Sequence, residues 1–380
     1  MDRMIYIFIF VFVFSLHSDS QHSITQSSLS PRISTESPYP PSEIIEDVRF
    51  DFSTHIRMAT GSDNWPMTWA DDNRQYTAWG DGGGFKGSNS RGRVKLGVAR
   101  VEGPRDDYHC KNIWGGHQAE FPAQFEGKSY GILSVHGTLY MWVAPQPNPH
   151  LAESRLAFST DRGKHWTQAD WAFHFNDHVS IPTFLNFGQD YEKARDNYVY
   201  SYFIHPMYGP SIPKGTKYGF DVHKPGKIYL SRVPIRHILT KEKYEFFCGY
   251  DENDHPDWTS VIENKHPVFD DENGVGWNVS ASYNAGLKRY ILCTEHTKTQ
   301  AGKLGIFDAP EPWGPWTTVA YEEGWGEGNI EVSTFYWNFP NKWLGADGLN
   351  FTMVFTGKNS NDSWNTVNGR FILHKTFERQ

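Results

Sequence analysis

The chain has 380 residues, with 36 Lys and Arg against 44 Asp and Glu, which gives a formal net charge of −8. This balance argues against a nucleic-acid-binding protein, because such a protein neutralises phosphates with basic residues. Only 21% of the residues are charged and 16% are aromatic, which excludes a disordered polyelectrolyte and predicts a core rich in aromatic rings. The 34 Gly and 22 Pro favour many short strands over long helices.

The chain begins with an apolar run from Ile5 to Leu16, which is too short to span a bilayer and is typical of a signal peptide. We therefore expect residues 1–20 to be a signal peptide and residues 21–43 to be a flexible Ser/Pro-rich leader. Residues 44–380 show no second linker and are expected to form a single domain. The mature protein is then expected to be secreted (extracellular), monomeric and without contact to the membrane.

Three cysteines and three glycosylation sequons fit that compartment. The cysteines allow at most one disulfide, so the fold has to be stabilised by its own core; they are Cys110, Cys248 and Cys293. The sequons begin at Asn278, Asn350 and Asn361. Only Asn361 lies among loop residues, so it is the favoured site if the protein is a glycoprotein.

The same pattern of three short strands occurs five times along the chain. Each set has an apolar strand, a tight turn, an aromatic-rich strand, a polar loop and a third strand with small and branched residues. The predicted strands are Met67–Ala70, Tyr76–Trp79 and Lys95–Arg100; Gly131–Val135, Thr138–Val143 and Ser154–Ser159; Pro182–Phe187, Tyr198–Phe203 and Lys227–Arg232; Val279–Tyr283, Arg289–Thr294 and Lys303–Asp308; Ser333–Trp337, Asn350–Phe355 and Arg370–Lys375. This repetition predicts an all-β fold, a five-bladed β-propeller.

One turn sequence supports the same architecture. The run from Ser159 to Trp166, Ser-Thr-Asp-Arg-Gly-Lys-His-Trp, fits the Ser-x-Asp-x-Gly-x-x-Trp "Asp box" of sialidase-like propellers. Asp161 can accept hydrogen bonds from the turn's own N–H groups, and Gly163 supplies backbone freedom. The role of this turn is expected to be structural, on the face opposite the usual catalytic site.

Several longer runs resemble one family of secreted, furanosidase-like five-bladed propellers. They are residues 62–72 with 76–82, residues 182–188, residues 282–290 and residues 305–316. That family was long labelled only as a domain of unknown function, and some members are assigned as endo-arabinanase glycoside hydrolases; a weaker similarity extends to propeller ulvan lyases. Where many relatives carry Arg-His-Gly-Lys, this chain has Gly116-His117-Gln118-Ala119-Glu120, which leaves the role of His117 open.

Propeller geometry selects a set of polar residues for one channel mouth. The start of each innermost strand and the end of the second strand open on the same face, because the two strands are antiparallel. This rule selects Asp63, Asn64, Trp65, Lys128, His178, Asn278 and Glu331 from first strands, and Asp81, Tyr202, His205, Glu295 and His296 from second strands. A concave site with so many titratable groups is the default hypothesis for catalysis.

Two reactions fit this set. Glycoside hydrolysis needs two carboxyl groups, for which Asp63, Asp81 and Glu331 are the best candidates with Glu295 in reserve. Asp81 and Glu331 could equally be a turn-former and a solvent-facing residue. The alternative, β-elimination on a uronic-acid polysaccharide, would use His205 or Tyr202 as the base and Lys128 or Asn278 to neutralise the carboxylate.

The expected partner is therefore a polysaccharide or oligosaccharide. Four tryptophans lie near the mouth by strand position and could stack on sugar rings, although most tryptophans must serve interblade packing: Trp65, Trp69, Trp79 and Trp277. Asn64, Lys128, His178, Asn278 and His296 complete the predicted substrate-binding set. No cofactor is required, and a structural calcium ion in the channel has no sequence signature. A non-catalytic lectin is the third alternative, but it would repeat its binding residues from blade to blade.

Overall fold

A computed structural model describes residues 33–145, 151–207 and 220–375 of the chain. Within these ranges the chain forms β-strands and short 3₁₀ helices, and no α-helix occurs. None of these described helices has the length and apolar character needed to cross a membrane. The all-β class predicted from the sequence is thus confirmed, whereas the predicted signal peptide lies outside the described residues.

The strands form three four-stranded antiparallel sheets and one ten-stranded sheet, which we divide into two antiparallel groups because a single parallel strand pair joins them. We number the resulting five units in chain order after a long N-terminal strand. That strand is β1 (Ile45–Met58). The first unit has β2 (Met67–Trp69), β3 (Gln75–Gly80), β4 (Leu96–Glu102) and β5 (His109–Trp114); the second has β6 (Gly127–Val135), β7 (Thr138–Pro145), β8 (Glu153–Ser159) and β9 (Thr167–His174). The third has β10 (Ser180–Asn186), β11 (Tyr198–Ile204), β12 (Gly226–Pro234) and β13 (Glu245–Tyr250), extended by β14 (Pro256–Thr259) and β15 (Pro267–Asp271). The fourth has β16 (Ser280–Asn284), β17 (Arg289–Glu295), β18 (Leu304–Ala309) and β19 (Thr317–Tyr321); the fifth has β20 (Ser333–Asn338), β21 (Asn350–Lys358), β22 (Asp362–Leu373) and β1 itself. The 3₁₀ helices cover Phe175–Asp177, Ile235–His237, Lys241–Lys243, Ile262–Asn264 and Asn341–Trp343.

Every predicted strand overlaps an observed one, with one large boundary error in the fifth unit. There the third strand is predicted at Arg370–Lys375, but β22 begins at Asp362 and pairs with β21 from Asp362 to Arg370. The polar residues between Asp362 and Asn368 resemble a loop in sequence, yet their backbone groups are paired on both sides because β1 is the next strand.

The first strands of consecutive units lie next to one another around a common centre. β2 contacts β6, β6 contacts β10, and β16 contacts both β10 and β20. Between the fifth and first units, the Asn64 N–H donates to Thr356 Oγ1 at 3.0 Å and Asn338 Nδ2 donates to the Trp65 carbonyl at 3.2 Å. The result is a closed, propeller-like arrangement that brings the five first strands together.

Aromatic side chains fill the spaces between units. Trp65 lies 5.3 Å from both Phe85 and Trp364, measured between ring centroids, and so joins the first unit to the fifth. Trp142 lies 5.7 Å from both Phe184 and Phe203 between the second and third units. Flat rings fit between stacked sheets and bury a large area each, which explains the aromatic composition.

The turn between β8 and β9 has the internal hydrogen bonds that its sequence predicts. Asp161 Oδ1 accepts from the His165 N–H at 3.0 Å and from Ser159 Oγ at 2.8 Å. Gly163 has φ +82°, and Trp166 is buried with its indole N–H donating to the Gly163 carbonyl at 3.0 Å. Asp161 therefore stabilises the turn.

The end of the predicted leader pairs with the fourth unit. Residues 33–42 follow β19, where the Thr318 N–H donates to the Pro40 carbonyl at 2.7 Å and the Ser42 N–H donates to the Thr318 carbonyl at 2.8 Å. The Tyr39 ring packs 5.1 Å from Phe269. These backbone bonds fix a segment whose composition alone indicated a linker. The three cysteines lie on β5, β13 and β17 and are free thiols.

Candidate functional site

A cavity of about 580 Å³ opens where β2 begins and β3 ends. We call it the mouth cavity. It is lined by Asp63, Asn64, Asp81, Lys128, Tyr130, Phe220, Asp221, Trp277, Thr299, Gln300 and Lys358. Three carboxyl groups and two ammonium groups therefore share one concave space with polar neutral side chains, a combination typical of binding and catalytic sites.

Asp63 is held against the end of β3 by its own backbone. Its N–H donates to the Gly80 carbonyl at 3.0 Å, and the Gly80 N–H donates back to the Asp63 carbonyl at 2.8 Å. A methyl group on residue 80 would lie 2.6 Å from Asp63 Oδ1, so only glycine leaves room for this carboxyl. Asn64 Nδ2 donates to the same oxygen at 3.0 Å.

Burial raises the pKa of Asp63 from its ordinary value of 3.8 to about 7. Lys128 opposes this rise because its positive charge favours the carboxylate, whereas Asp362 and Asp81 reinforce it by like-charge repulsion. Near neutral pH the Asp63 carboxyl can therefore both donate and accept a proton.

Asp81 differs from Asp63 because two cations contact it. Lys128 Nζ lies 2.8 Å and an Arg93 guanidinium nitrogen 3.2 Å from Asp81 Oδ1. The Lys128 side chain is only 10% exposed, whereas that of Asp81 is 36% exposed. The cavity thus holds one buried carboxyl that favours its neutral form beside one solvent-accessible, ion-paired carboxylate.

The facing wall consists of aromatic and amide side chains. The Trp277 ring packs at 5.5 Å from Tyr130 and at 5.2 Å from Phe220, and its indole N–H donates to Thr299 Oγ1 at 2.8 Å. Lys358 Nζ donates to Gln300 Oε1 at 2.6 Å. Burial raises the pKa of Tyr130 well above its ordinary value, and its hydroxyl has no hydrogen-bond partner among the described residues.

Behind this wall lies a second buried carboxyl group, that of Glu295. Burial raises its pKa to about 8, although hydrogen bonds from Thr299 and Gln300 favour the ionised form. Glu295 is fully buried and does not itself line the mouth cavity.

The family model described as "Domain of unknown function (DUF4185)" matches residues 130–353, which is more than half of the chain. The chain belongs to the DUF4185 family. This confirms membership of a domain-of-unknown-function family, whereas the link to arabinanases and ulvan lyases stays a prediction. No curated protein matches the DUF4185 chain.

Among solved structures, the DUF4185 chain is similar to a Bacteroides ovatus ATCC 8483 protein that is only provisionally described as a hydrolase. The two are 10% identical with a TM-score of 0.53, over 84% of this chain and 90% of the other. A GH43_1 enzyme from Xanthomonas citri is 12% identical with a TM-score of 0.49, over 83% and 91% of the chains. An exo-β-1,3-galactanase from Phanerochaete chrysosporium is 10% identical with a TM-score of 0.46, over 82% and 63%. At these identities the likeness concerns the fold alone.

The mouth cavity of the DUF4185 protein brings together five of the residues selected from the sequence. They are Asp63, Asn64, Asp81, Lys128 and Trp277. Trp277 is only 2% exposed, so its ring faces are covered by other aromatic rings and are not free to stack on a sugar.

The other three candidate tryptophans lie elsewhere. Trp65 and Trp79 are completely buried between units, which corrects their prediction as sugar contacts. Trp69 stands at the opposite end of β2 and lines a different cavity of about 670 Å³ together with Arg105 and Lys342.

Both bases expected for a lyase, His205 and Tyr202, lie outside the mouth cavity, whereas the expected neutralising residue Lys128 lines it. His205 Nδ1 lies 3.2 Å from the Tyr229 hydroxyl, and its ring stacks at 5.8 Å on His178. Burial, with help from His178 and two lysines, lowers the pKa of His205 to about 4. Tyr202 is buried, donates to the Pro312 carbonyl at 2.7 Å and has a pKa raised well above its ordinary value by burial, so it is poorly placed as a base.

Three further candidates do not line the mouth cavity. His296 stacks on Tyr321 at 3.7 Å, and its Nε2 lies 3.1 Å from the Glu322 carbonyl oxygen; burial lowers its pKa to about 4. Asn278 is buried, and its amide has no hydrogen-bond partner among the described residues. Glu331 is exposed on the loop before β20.

The sequence rule missed six lining residues: Tyr130, Phe220, Asp221, Thr299, Gln300 and Lys358. Lys358 ends β21, so the rule of second-strand ends would have found it had the strand been predicted to its full length. Tyr130 sits at a register shift between β6 and β7, which no strand pattern predicts. Within the ranges that the structure describes, no group of three or more His, Cys, Asp or Glu residues is arranged to hold a metal ion.

Proposed function

We propose that this DUF4185 protein is a glycoside hydrolase whose catalytic carboxyl groups are Asp63 and Asp81. The observation that carries the proposal is the contrast between these two groups within one cavity. Asp63 is buried with a pKa of about 7, and Asp81 is accessible and paired with Lys128. Two carboxyl groups in such different environments suit the acid and the nucleophile or base that glycoside hydrolysis requires.

In this mechanism the protonated Asp63 donates its proton to the glycosidic oxygen as the bond to the leaving sugar breaks. The Asp81 carboxylate then either accepts a proton from the attacking water or attacks the anomeric carbon itself. Lys128 forms an ion pair with Asp81, and its positive charge lowers the pKa of Asp63, so one side chain contacts or influences both groups. Phe220 supplies a half-buried apolar surface at the edge of the cavity.

The test is to incubate the purified protein with arabinans, ulvan and other acidic glycans. We expect new reducing ends without a rise in absorbance at roughly 235 nm, which would mark the unsaturated uronate left by elimination. Asp63→Asn and Asp81→Asn should each lower the rate by about 10²- to 10⁴-fold. The matched control is Glu242→Gln, an exposed carboxylate on the outer side of the third unit.

Other outcomes would contradict the proposed hydrolase activity or the proposed role of Asp63. Unsaturated products would indicate a polysaccharide lyase, with Lys128 in the cavity as the neutralising group. Binding without products would indicate a glycan-binding propeller. Full activity in Asp63→Asn would exclude the proposed general acid.

We further propose that the five units are the blades of a five-bladed β-propeller and that residues 159–166 are an Asp box. The protein would be a secreted monomer, with residues 1–20 as signal peptide and Asn361 as the glycosylated sequon. The position of Asn361 supports this choice, because Asn361 is half-buried in the bend between β21 and β22 whereas Asn278 is buried. A calcium ion in the channel stays a prediction that awaits metal analysis of the purified protein.

A further inference from the structure

The connection between β17 and β18 forms one wall of the mouth cavity. We call residues 296–303 the wall loop; its Thr299 and Gln300 line the cavity. Thr297 has φ +58° and Gln300 has φ +55°, which are unfavourable values for residues with side chains, above all for β-branched threonine. Such a conformation persists only where the surroundings hold it.

The buried carboxyl of Glu295 is the group that holds the wall loop. Its Oε1 accepts from the Gln300 N–H, and its Oε2 accepts from the Thr299 hydroxyl at 2.8 Å. Thr299 Oγ1 in turn accepts the Trp277 indole N–H at 2.8 Å, and the Gln300 side chain accepts from Lys358 at 2.6 Å. One carboxyl group is thus connected, through two loop residues, to side chains on both sides of the cavity.

The space around Glu295 is closed. A methyl group on Gly276 would lie 2.6 Å from Glu295 Cβ and 2.7 Å from Oε2. The Gly276 N–H also donates to the Glu295 carbonyl at 2.6 Å. Because Glu295 is sealed from solvent and from the cavity, any effect it has on a ligand must pass through its hydrogen-bonded neighbours.

We infer that Glu295 is a positioning residue, not a catalytic one, and that it fixes Thr299 and Gln300 of the wall loop in the arrangement that binds the glycan. The functional half of this inference rests on the proposed hydrolase activity. Its structural half, that Glu295 restrains the wall loop, does not depend on any activity.

Two substitutions at position 295 distinguish the effect of the hydrogen bonds from the effect of side-chain volume. Glu295→Gln keeps an oxygen for the Gln300 N–H and offers an N–H₂ group to Thr299 Oγ1, as the protonated acid would. Glu295→Met keeps a side chain of similar length but removes both oxygen atoms that accept hydrogen bonds from the wall loop. Glu323→Gln is the matched control, because Glu323 is 55% exposed and pairs with Lys303 at the other end of the loop.

Hydrogen–deuterium exchange of the peptide covering residues 296–303 tests the restraint. We expect exchange at least tenfold faster in Glu295→Met and unchanged in Glu295→Gln and Glu323→Gln, since exchange reports local opening. Unchanged exchange in Glu295→Met would overturn the inference. If that variant does not fold, Thr299→Val, which removes only the bridging hydroxyl, is measured in the same way with the same criteria.

Steady-state kinetics on arabinan, or on whichever glycan of the panel is hydrolysed, tests the functional half. Glu295→Met should raise KM about tenfold with kcat within about twofold, the effect expected when hydrogen bonds that order a binding wall are lost. A fall in kcat at constant KM would overturn the positioning role. If the wild-type protein hydrolyses no glycan, the proposed function fails, whereas the exchange result still decides the role of Glu295.

Discussion

Replacing Asp63 by asparagine should stabilise this protein at alkaline pH while it removes the proposed activity. The native pKa of Asp63 is about 7 and its ordinary value is 3.8, so the folded state binds this proton more tightly than the unfolded chain. A carboxyl group with a raised pKa stabilises the fold fully below its unfolded pKa, and this contribution is lost as the pH rises through the folded pKa. Because asparagine cannot ionise, the variant does not lose this stabilisation as the pH rises.

The expected size follows from the two pKa values. Between pH 5 and pH 7 the native Asp63 keeps its proton and the unfolded chain does not, so the free energy of unfolding falls by about 1.4 kcal/mol per pH unit. The loss between pH 5 and pH 8 is therefore about 3 kcal/mol at most, because Asp362, whose pKa is also raised by burial, shares part of the titration.

Denaturant unfolding at pH 5 and pH 8 measures this difference. The advantage of Asp63→Asn over the wild type in free energy of unfolding should grow by about 2–3 kcal/mol between pH 5 and pH 8. Glu242→Gln is the matched control and should show no such growth, since Glu242 is exposed. A difference between Asp63→Asn and the wild type that stays the same or shrinks between the two pH values would refute the assignment of Asp63 as a buried, protonated acid.

Three further predictions concern the same cavity and its surroundings. Lys128→Met removes the charge that lowers the pKa of Asp63. The alkaline limb of the pH–rate profile should therefore move to higher pH by about one unit, and a shift to lower pH would contradict the general-acid role. Gly80→Ala places a methyl group 2.6 Å from Asp63 Oδ1 and should reduce kcat/KM at least tenfold, with an unchanged circular dichroism spectrum. Phe220→Ala should raise KM without a large change in Tm, because Phe220 is half-buried at the cavity edge. Trp65→Ala removes a ring that packs between the first and fifth units and should lower the free energy of unfolding by about 3–5 kcal/mol, as measured with denaturant.

The strand order and the mouth cavity could be predicted from the sequence because antiparallel neighbours have a fixed relation. The start of β2 and the end of β3 must lie together, and this alone brings Asp63 and Asp81 into one cavity. The pairing of β1 with β22 could not be predicted in the same way, since the two strands lie at opposite ends of the domain and no turn fixes their register.

The direction and the surroundings of each side chain could not be predicted as well from the sequence. Trp65 and Trp277 follow the same positional rule, yet Trp65 packs inside an interface and Trp277 reaches the cavity edge. Tyr202 was selected as a strand end, but it lies within β11 and its hydroxyl is bonded to the neighbouring unit. Burial and hydrogen-bond partners depend on residues far away in the chain, so a rule based on strand position does not determine them.

The pairing of β1 with β22 also governs how this chain can reach its folded form. β1 precedes every unit in sequence but has its hydrogen-bonding neighbour at Asp362–Leu373, so its edge stays open until nearly all of the domain has been synthesised. A nascent or prematurely terminated chain would present this fourteen-residue edge to other chains, which is a recognised route to aggregation. Completion of the fifth unit therefore has to wait for the last strand, and the late pairing of β1 follows directly from the topology.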